Sequence, residues 1–219
     1  YPTVEHVQYD TISYSGITGA NLKSFGKRVM PSYDLTKADV IVSVDADFLG
    51  SWGSATEHSW QYSNRRDPDG AMNKHFQFEA RMSLTGAYAD VRVPLKLSEL
   101  PLAVISLHDH IAKKAGAAPV GGSKAEVDAA TAKAADALWA AKGRGVVLAG
   151  SNNEGVQVLV NSINSMLGNY GSTIDLDGHT YFKQGDDAAV AKLVKDMNAG
   201  AVGALLIAGV NPAYSLPNA

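Results

Sequence analysis

An α/β fold, with a mostly parallel sheet covered by helices on both faces, is predicted by two features of the sequence. Short β-rich runs alternate with segments of helical period, and several runs are apolar at consecutive positions, as in strands buried on both faces. In order, residues 6–9 read as a short strand, 39–45 as a longer one, 75–79 as an alternating one and 91–97 as a fourth. Residues 144–149 and 204–208 complete the set, and the most apolar stretches, 40–44, 146–149 and 204–207, are expected at the centre of the sheet.

Helix ends are marked by their own chemistry. Ser123-Lys-Ala-Glu126 has the form of a capping box ahead of an Ala-rich run that stops at Gly143. Val156, Leu159, Val160, Ile163, Met166 and Leu167 follow at helical spacing, with Gly168 as the C-terminal stop. Asp186 or Asp187 caps a further helix whose Val190, Leu193, Val194 and Met197 are expected to face inward, with Gly200 beyond its end. The small-residue stretch 115–122 is a linker or surface loop between a first α/β lobe, 1–114, and a second segment, 123–219, which belongs either to its own lobe or to the same domain.

A length of 219 residues allows one large domain or two small ones. With 46% hydrophobic and 19% charged residues the composition is globular. Nineteen Lys and Arg against 22 Asp and Glu, scattered rather than clustered, argue against a nucleic-acid partner. No apolar run reaches the roughly 18 residues that cross a bilayer, so no transmembrane segment is expected. There is no cysteine, which excludes disulfides, thiolate nucleophiles and cysteine-held zinc or iron–sulfur sites within these residues. The chain starts at Tyr1 with neither an initiator Met nor a signal-peptide core and stops just after a strand-like run, so a piece of a longer protein is expected.

In open α/β sheets ligands bind beyond the carboxyl ends of strands. Four segments qualify. Asp45 and Asp47 leave a buried strand and suit either a metal or sugar hydroxyls, or else the capping of a helix or an Arg65/Arg66 cluster. Gly150-Ser-Asn-Asn-Glu-Gly155 turns a strand into a helix and brings Ser151 and Asn153 to an N-terminus that attracts anions, but it lacks the Lys-Ser/Thr of a P-loop. Ser83–Asp90 supplies Thr85 and Asp90 from a polar loop, and Asn211 precedes Pro212 after the last run. His108 and His110 sit two apart on a helix and so diverge.

These segments together resemble the successive strand-end motifs of the molybdopterin oxidoreductase superfamily: Ala38-Asp-Val-Ile-Val-Ser-Val-Asp45, Ala87-Tyr-Ala-Asp90, Leu167-Gly-Asn-Tyr-Gly171 and Gly209-Val-Asn-Pro212. Tyr9-Asp-Thr-Ile-Ser13, Ala46-Asp-Phe-Leu-Gly50, Arg65-Arg66, Met72, Glu79, Ser83-Leu-Thr-Gly-Ala87 and Asn211-Pro-Ala-Tyr214 are most similar to one branch, the molybdopterin-like, iron–sulfur-bearing subunit of bacterial alternative complex III. The resemblance implies a non-catalytic domain of a quinol-oxidising respiratory complex on the periplasmic side of the membrane. It implies no cofactor in this segment and iron–sulfur clusters in a ferredoxin-like region outside it. Its implied partners are that region and the other subunits of the membrane-bound complex. Asp45, Asp47, Thr85, Asp90, Ser151, Asn153 and Asn211 then line a vestigial pocket, with no catalytic or metal-ligating residue. Two alternatives stand: a true molybdopterin oxidoreductase holding molybdopterin guanine dinucleotide, or a nucleotide- or sugar-binding α/β module. Exposed apolar surface is expected at Tyr214, Leu216 and the Phe48-Leu49-Trp52 turn, where neighbours would dock.

Overall fold

The computed structural model describes residues 3–122 and 125–216. Its elements run α1 (Ser15–Phe25), β1 (Met30–Tyr33), β2 (Val40–Val44), α2 (Ala55–Ser63), β3 (Lys74–Glu79), the one-turn α3 (Leu84–Ala87), β4 (Val91–Pro94), α4 (Leu100–Ala115), α5 (Ala125–Ala140), β5 (Gly145–Ala149), α6 (Glu154–Met166), β6 (Ile174–Thr180), α7 (Asp187–Asn198) and α8 (Pro212–Ser215). Strands β4, β3, β2 and β5, in that order, form a sheet in which every pairing is parallel. Val40 lies level with Lys74 and Gly145, and Val44 with Phe78 and Ala149. β1 and β6 make a separate antiparallel pair.

Side chains alternate across a strand, so the consecutive apolar residues of β2 and β5 feed two cores. Val40, Val42, Val44, Phe76, Phe78, Val147 and Ala149 pack with Leu107 and Ile111 of α4, Leu138 of α5 and Ile163 of α6. On the opposite face Ile41, Val146 and Leu148 meet Tyr14, Ile17, Leu35, Phe48, Trp52, Tyr62 and Ile174. The sheet takes β2, β3 and β4 from before residues 115–122 and β5 from after them. That stretch closes a helical hairpin: Asp109 of α4 accepts Val120 N–H at 2.7 Å and Gly121 N–H at 2.8 Å. Helix α6 is capped by Asn153, whose Oδ1 accepts Val156 N–H at 3.1 Å, and α7 by Asp186, which accepts from Ala188 and Ala189. Ser123, which opens the expected capping box, lies outside the described residues, as does the side chain of Glu126.

The outer edge of β5 is closed by side chains instead of a fifth strand. Asn164 of α6 accepts Val147 N–H at 3.0 Å and donates to Val147 O at 2.9 Å, Gln157 donates to Ala149 O at 2.8 Å, and the Thr173 hydroxyl donates to Gly145 O at 2.6 Å. This closure accounts for the main departure from the sequence reading. Residues 204–207, expected at the centre of the sheet, form no strand, and Leu206 is 95% exposed. Their β propensity finds no place beside β5, because that flank is already occupied.

Residues 6–9 likewise form no strand, and the fourth run stops at Pro94 instead of reaching Leu97. Helix α7 has the expected cap and length but buries none of its residues, so its apolar stripe does not face a core. In place of an inward packing, Val190, Leu193, Val194 and Met197 line a groove of about 670 Å³ together with residues 6–10 and 205–208. Tyr214 is exposed as expected, whereas Phe48 and Trp52 are corrected to buried core. Among the described residues no helix is long and apolar enough to cross a membrane.

Candidate functional site

The carboxyl ends of β2, β3 and β5 open on one side of the sheet, and the chain turns sharply there. Asp45 takes a left-handed conformation with φ 56°, which L-residues other than Asn and Asp seldom adopt. Its N–H donates to Phe78 O at 2.7 Å, while Gly150 N–H donates to Val44 O at 2.9 Å. The two turns touch so closely that a Cβ on Gly150 would stand 2.1 Å from Asp45 O. Only glycine fits.

Asp47 is locked to the loop after β3. Its Oδ1 accepts the Thr85 N–H at 3.1 Å and the Thr85 hydroxyl at 2.8 Å, and Thr85 Oγ1 in turn accepts Leu49 N–H at 2.9 Å. The expectation that an acid here accepts bonds from a helix start therefore holds, at the single turn of α3. Burial, with the Glu79 and Asp47 carboxylates nearby, raises the Asp45 pKa above its ordinary value. Glu79, at the end of β3, receives the Ser83 hydroxyl at 2.6 Å, Gln77 Nε2 at 3.2 Å and Arg92 Nε at 2.5 Å. Burial alone would push Glu79 upward; these donors outweigh it and hold the group below its ordinary value.

Around β5 the pattern repeats. Ser151 Oγ accepts Asn153 N–H at 3.1 Å, and Asn153 spends its own Oδ1 on the cap of α6. Asn152, just ahead of the α6 cap, bridges the starts of α1 and α7, accepting Gly16 N–H at 2.8 Å and donating to Asp187 at 2.8 Å. Lys23 pairs with Glu154 in the first turn of α6. An anion approaching this N-terminus meets Asn153 in its place and the carboxylates of Glu154 and Asp187 beside it. The residues present do not fit the pyrophosphate of a pterin nucleotide, which needs free N–H groups and positive potential.

The structure thus brings Asp45, Asp47, Thr85, Ser151 and Asn153 to one mouth, and it separates the other two expected residues from them. Asp90 precedes β4 and lies level with His75, at the amino end of the sheet, whereas Asp45 follows the carboxyl end of β2. There Asp90 accepts both Arg66 nitrogens, at 3.0 and 2.9 Å, and the His75 N–H at 2.7 Å. Burial opposes its ionisation, but the Arg66 bonds prevail and lower its pKa. Asn211 follows no strand; it heads α8 in the C-terminal segment, where its carbonyl accepts Tyr214 and Ser215 N–H.

Sequence reasoning missed Asn152 and the polar row of β3. His75, Gln77 and Glu79 share one buried face, with the Tyr62 hydroxyl 3.2 Å from His75 Nδ1 and His75 Nε2 3.4 Å from Gln77 Oε1. The signal was the alternation His75-Phe-Gln-Phe-Glu79, whose polar half looks like a solvated face until helix α2 covers it. His108 and His110 diverge as expected, toward Ser162 and Asp128. Among the described residues no three His, Asp or Glu are placed to hold a metal ion. No protein-family model matches the chain, and no curated protein is similar to it in sequence.

Proposed function

We propose that the chain is a non-catalytic, molybdopterin-oxidoreductase-like domain of a respiratory electron-transfer subunit. In this reading it packs against a cluster-bearing region of the same subunit and against other subunits on the periplasmic face of a membrane-bound, quinol-oxidising complex, while electrons pass through iron–sulfur clusters outside these residues. The observation that carries the reading is the mouth at the strand ends. Its polar groups bond to one another, Asp47 to Thr85 and Ser151 to Asn153, and the first turn of α6 carries an acid, Glu154, that is already paired with Lys23. Such a site sets Asn153 and the carboxylates of Glu154 and Asp187 where a pterin nucleotide would place its pyrophosphate. The resemblance suggests the family, although of its four motifs only the one ending at Asp45 follows a strand, and the exposed apolar residues Leu206 and Tyr214 suit a domain that is covered by neighbours.

Two measurements test it. GDP, as the probe for the nucleotide end of the cofactor, is expected to leave the melting temperature unchanged. Saturable binding would stabilise the fold by about 2.7 kcal/mol at a hundredfold excess over Kd and would favour the enzyme or nucleotide-binding readings instead. The tagged protein, isolated from solubilised membranes of its own cells, is expected to co-migrate with iron and quinol-oxidising activity; recovery as a free chain with neither overturns the proposal.

A further inference from the structure

A second, smaller cavity of about 170 Å³ lies on the other side of the molecule's aromatic core, between β1, the end of β6 and the start of α2. Tyr33, Phe182 and the His58 ring wall it, and Ser54 and Glu57 stand at its rim. Glu57 is the one formal charge among the lining residues. Its carboxylate accepts Gln61 Nε2 at 3.2 Å and has no cationic partner among the described residues. Lys183, whose ammonium stands 5.8 Å from the Phe182 ring, lines the larger groove instead and is directed to Asp10 at 3.9 Å.

His58 is the second, independent observation. It is 4% exposed, yet its Nδ1 has no hydrogen-bond partner. The ring edge carrying Cε1 and Nδ1 faces Gly53, another lining residue, where a Cβ would come within 2.8 Å of Cε1 and 3.5 Å of Nδ1. Glycine therefore keeps space open beside the unpaired nitrogen. Burial lowers the His58 pKa, against opposing pulls from Glu57 and from the Phe48 and Trp52 carbonyls beside the ring, so burial favours the neutral ring, in which one nitrogen donates toward these carbonyls and the other is left as an acceptor.

We propose that this cavity binds a small organic ammonium ion, with its charge against Glu57, its N–H on His58 and its alkyl carbons between the rings of Tyr33 and Phe182. Aromatic walls with a carboxylate at the rim attract cations through ring quadrupoles and direct charge. An anion would be repelled by Glu57, and an apolar guest would leave His58 Nδ1 unpaired. By volume the cavity holds about five or six waters, which limits the guest to a few carbons.

The test uses n-propylammonium chloride, with 1-propanol and sodium propionate as guests of similar size and different charge. Titration is followed by the ring 1H and 15N shifts of His58. Saturable shifts with propylammonium, absent with propionate and weaker with propanol by about tenfold or more in Kd, are expected. Glu57→Gln, an exposed substitution that leaves the amide spectrum otherwise unchanged, is expected to weaken propylammonium by a similar factor. Equal binding of propanol and propylammonium, an unchanged Kd in Glu57→Gln, or no shift with any guest, as for a cavity holding water only, each overturns the proposal.

Discussion

The four-stranded sheet and the segment from α7 to α8 have similar apolar content and opposite fates. In the sheet, β2 and β5 bury every residue and every strand has a partner. In the C-terminal segment, α7 buries none of its residues, and 202–210 form no helix or strand. Both contain runs of Val, Leu and Ile, so residue type alone does not decide burial. What differs is the availability of a neighbour: β2 is flanked by β3 and β5, while residues 204–207 pair with no strand and, from Leu205 on, line the groove beside α7.

The comparison can be broken most severely inside the sheet. Phe78→Ala empties a fully buried site in the first core and is expected to cost about 3–5 kcal/mol in urea unfolding. A loss below about 1 kcal/mol would mean that this core is loosely packed.

The next effect is electrostatic. Burial holds the His75 imidazole down to about 4 from an ordinary 6.5. The folded protein therefore takes up this proton at lower pH than the unfolded chain does. The associated stability is full above 6.5 and is lost as pH falls through the interval down to about 4, amounting to roughly 3 kcal/mol in all. His75→Gln is expected to flatten the urea midpoint over that interval, leaving the smaller slope contributed by His58, whose pKa is also lowered.

Much of the sheet was legible from sequence because β2, β3 and β5 are bounded by turn residues and carry their period plainly. Helix α6 was legible through its spacing and Gly168. β1 and β6 were not, since Pro31 and Gly178 disguise them and their pairing joins residues more than 140 positions apart. At the candidate site, the turns of Asp45, Asp47, Ser151 and Asn153 could be placed because they follow recognisable strands. Asp90 was misplaced because the sequence does not show that the loop 80–90 carries the chain back to the opposite end of the sheet. Residues 204–207 were misread because propensity says nothing about whether a partner edge is free.

Smaller perturbations sharpen the contrast. Asn164→Ala removes both bonds to Val147 and is expected to cost about 1–3 kcal/mol, the range for a buried backbone group left unpaired. Leu206→Ala, at a 95% exposed position, is expected to shift the unfolding free energy by no more than about 0.5 kcal/mol. Amide hydrogen exchange on the same samples should show slow exchange at Val42 and Val147 and fast exchange throughout 204–208; protection in that run would mean that it finds a pairing partner after all.

The amide seal on β5 also bears on how the protein would aggregate. A bare flank is a template on which fibrils extend, one copy's strand after another, and here the flank offers no vacant donor or acceptor at Val147. Ala204-Leu-Leu-Ile-Ala208, by contrast, is uncharged, free of proline and open to solvent, the signature of a segment that stacks into dry zippers. Fibril nucleation therefore belongs to this exposed run, and a single charge placed there, as in Leu206→Lys, is the gatekeeper that the natural sequence omits.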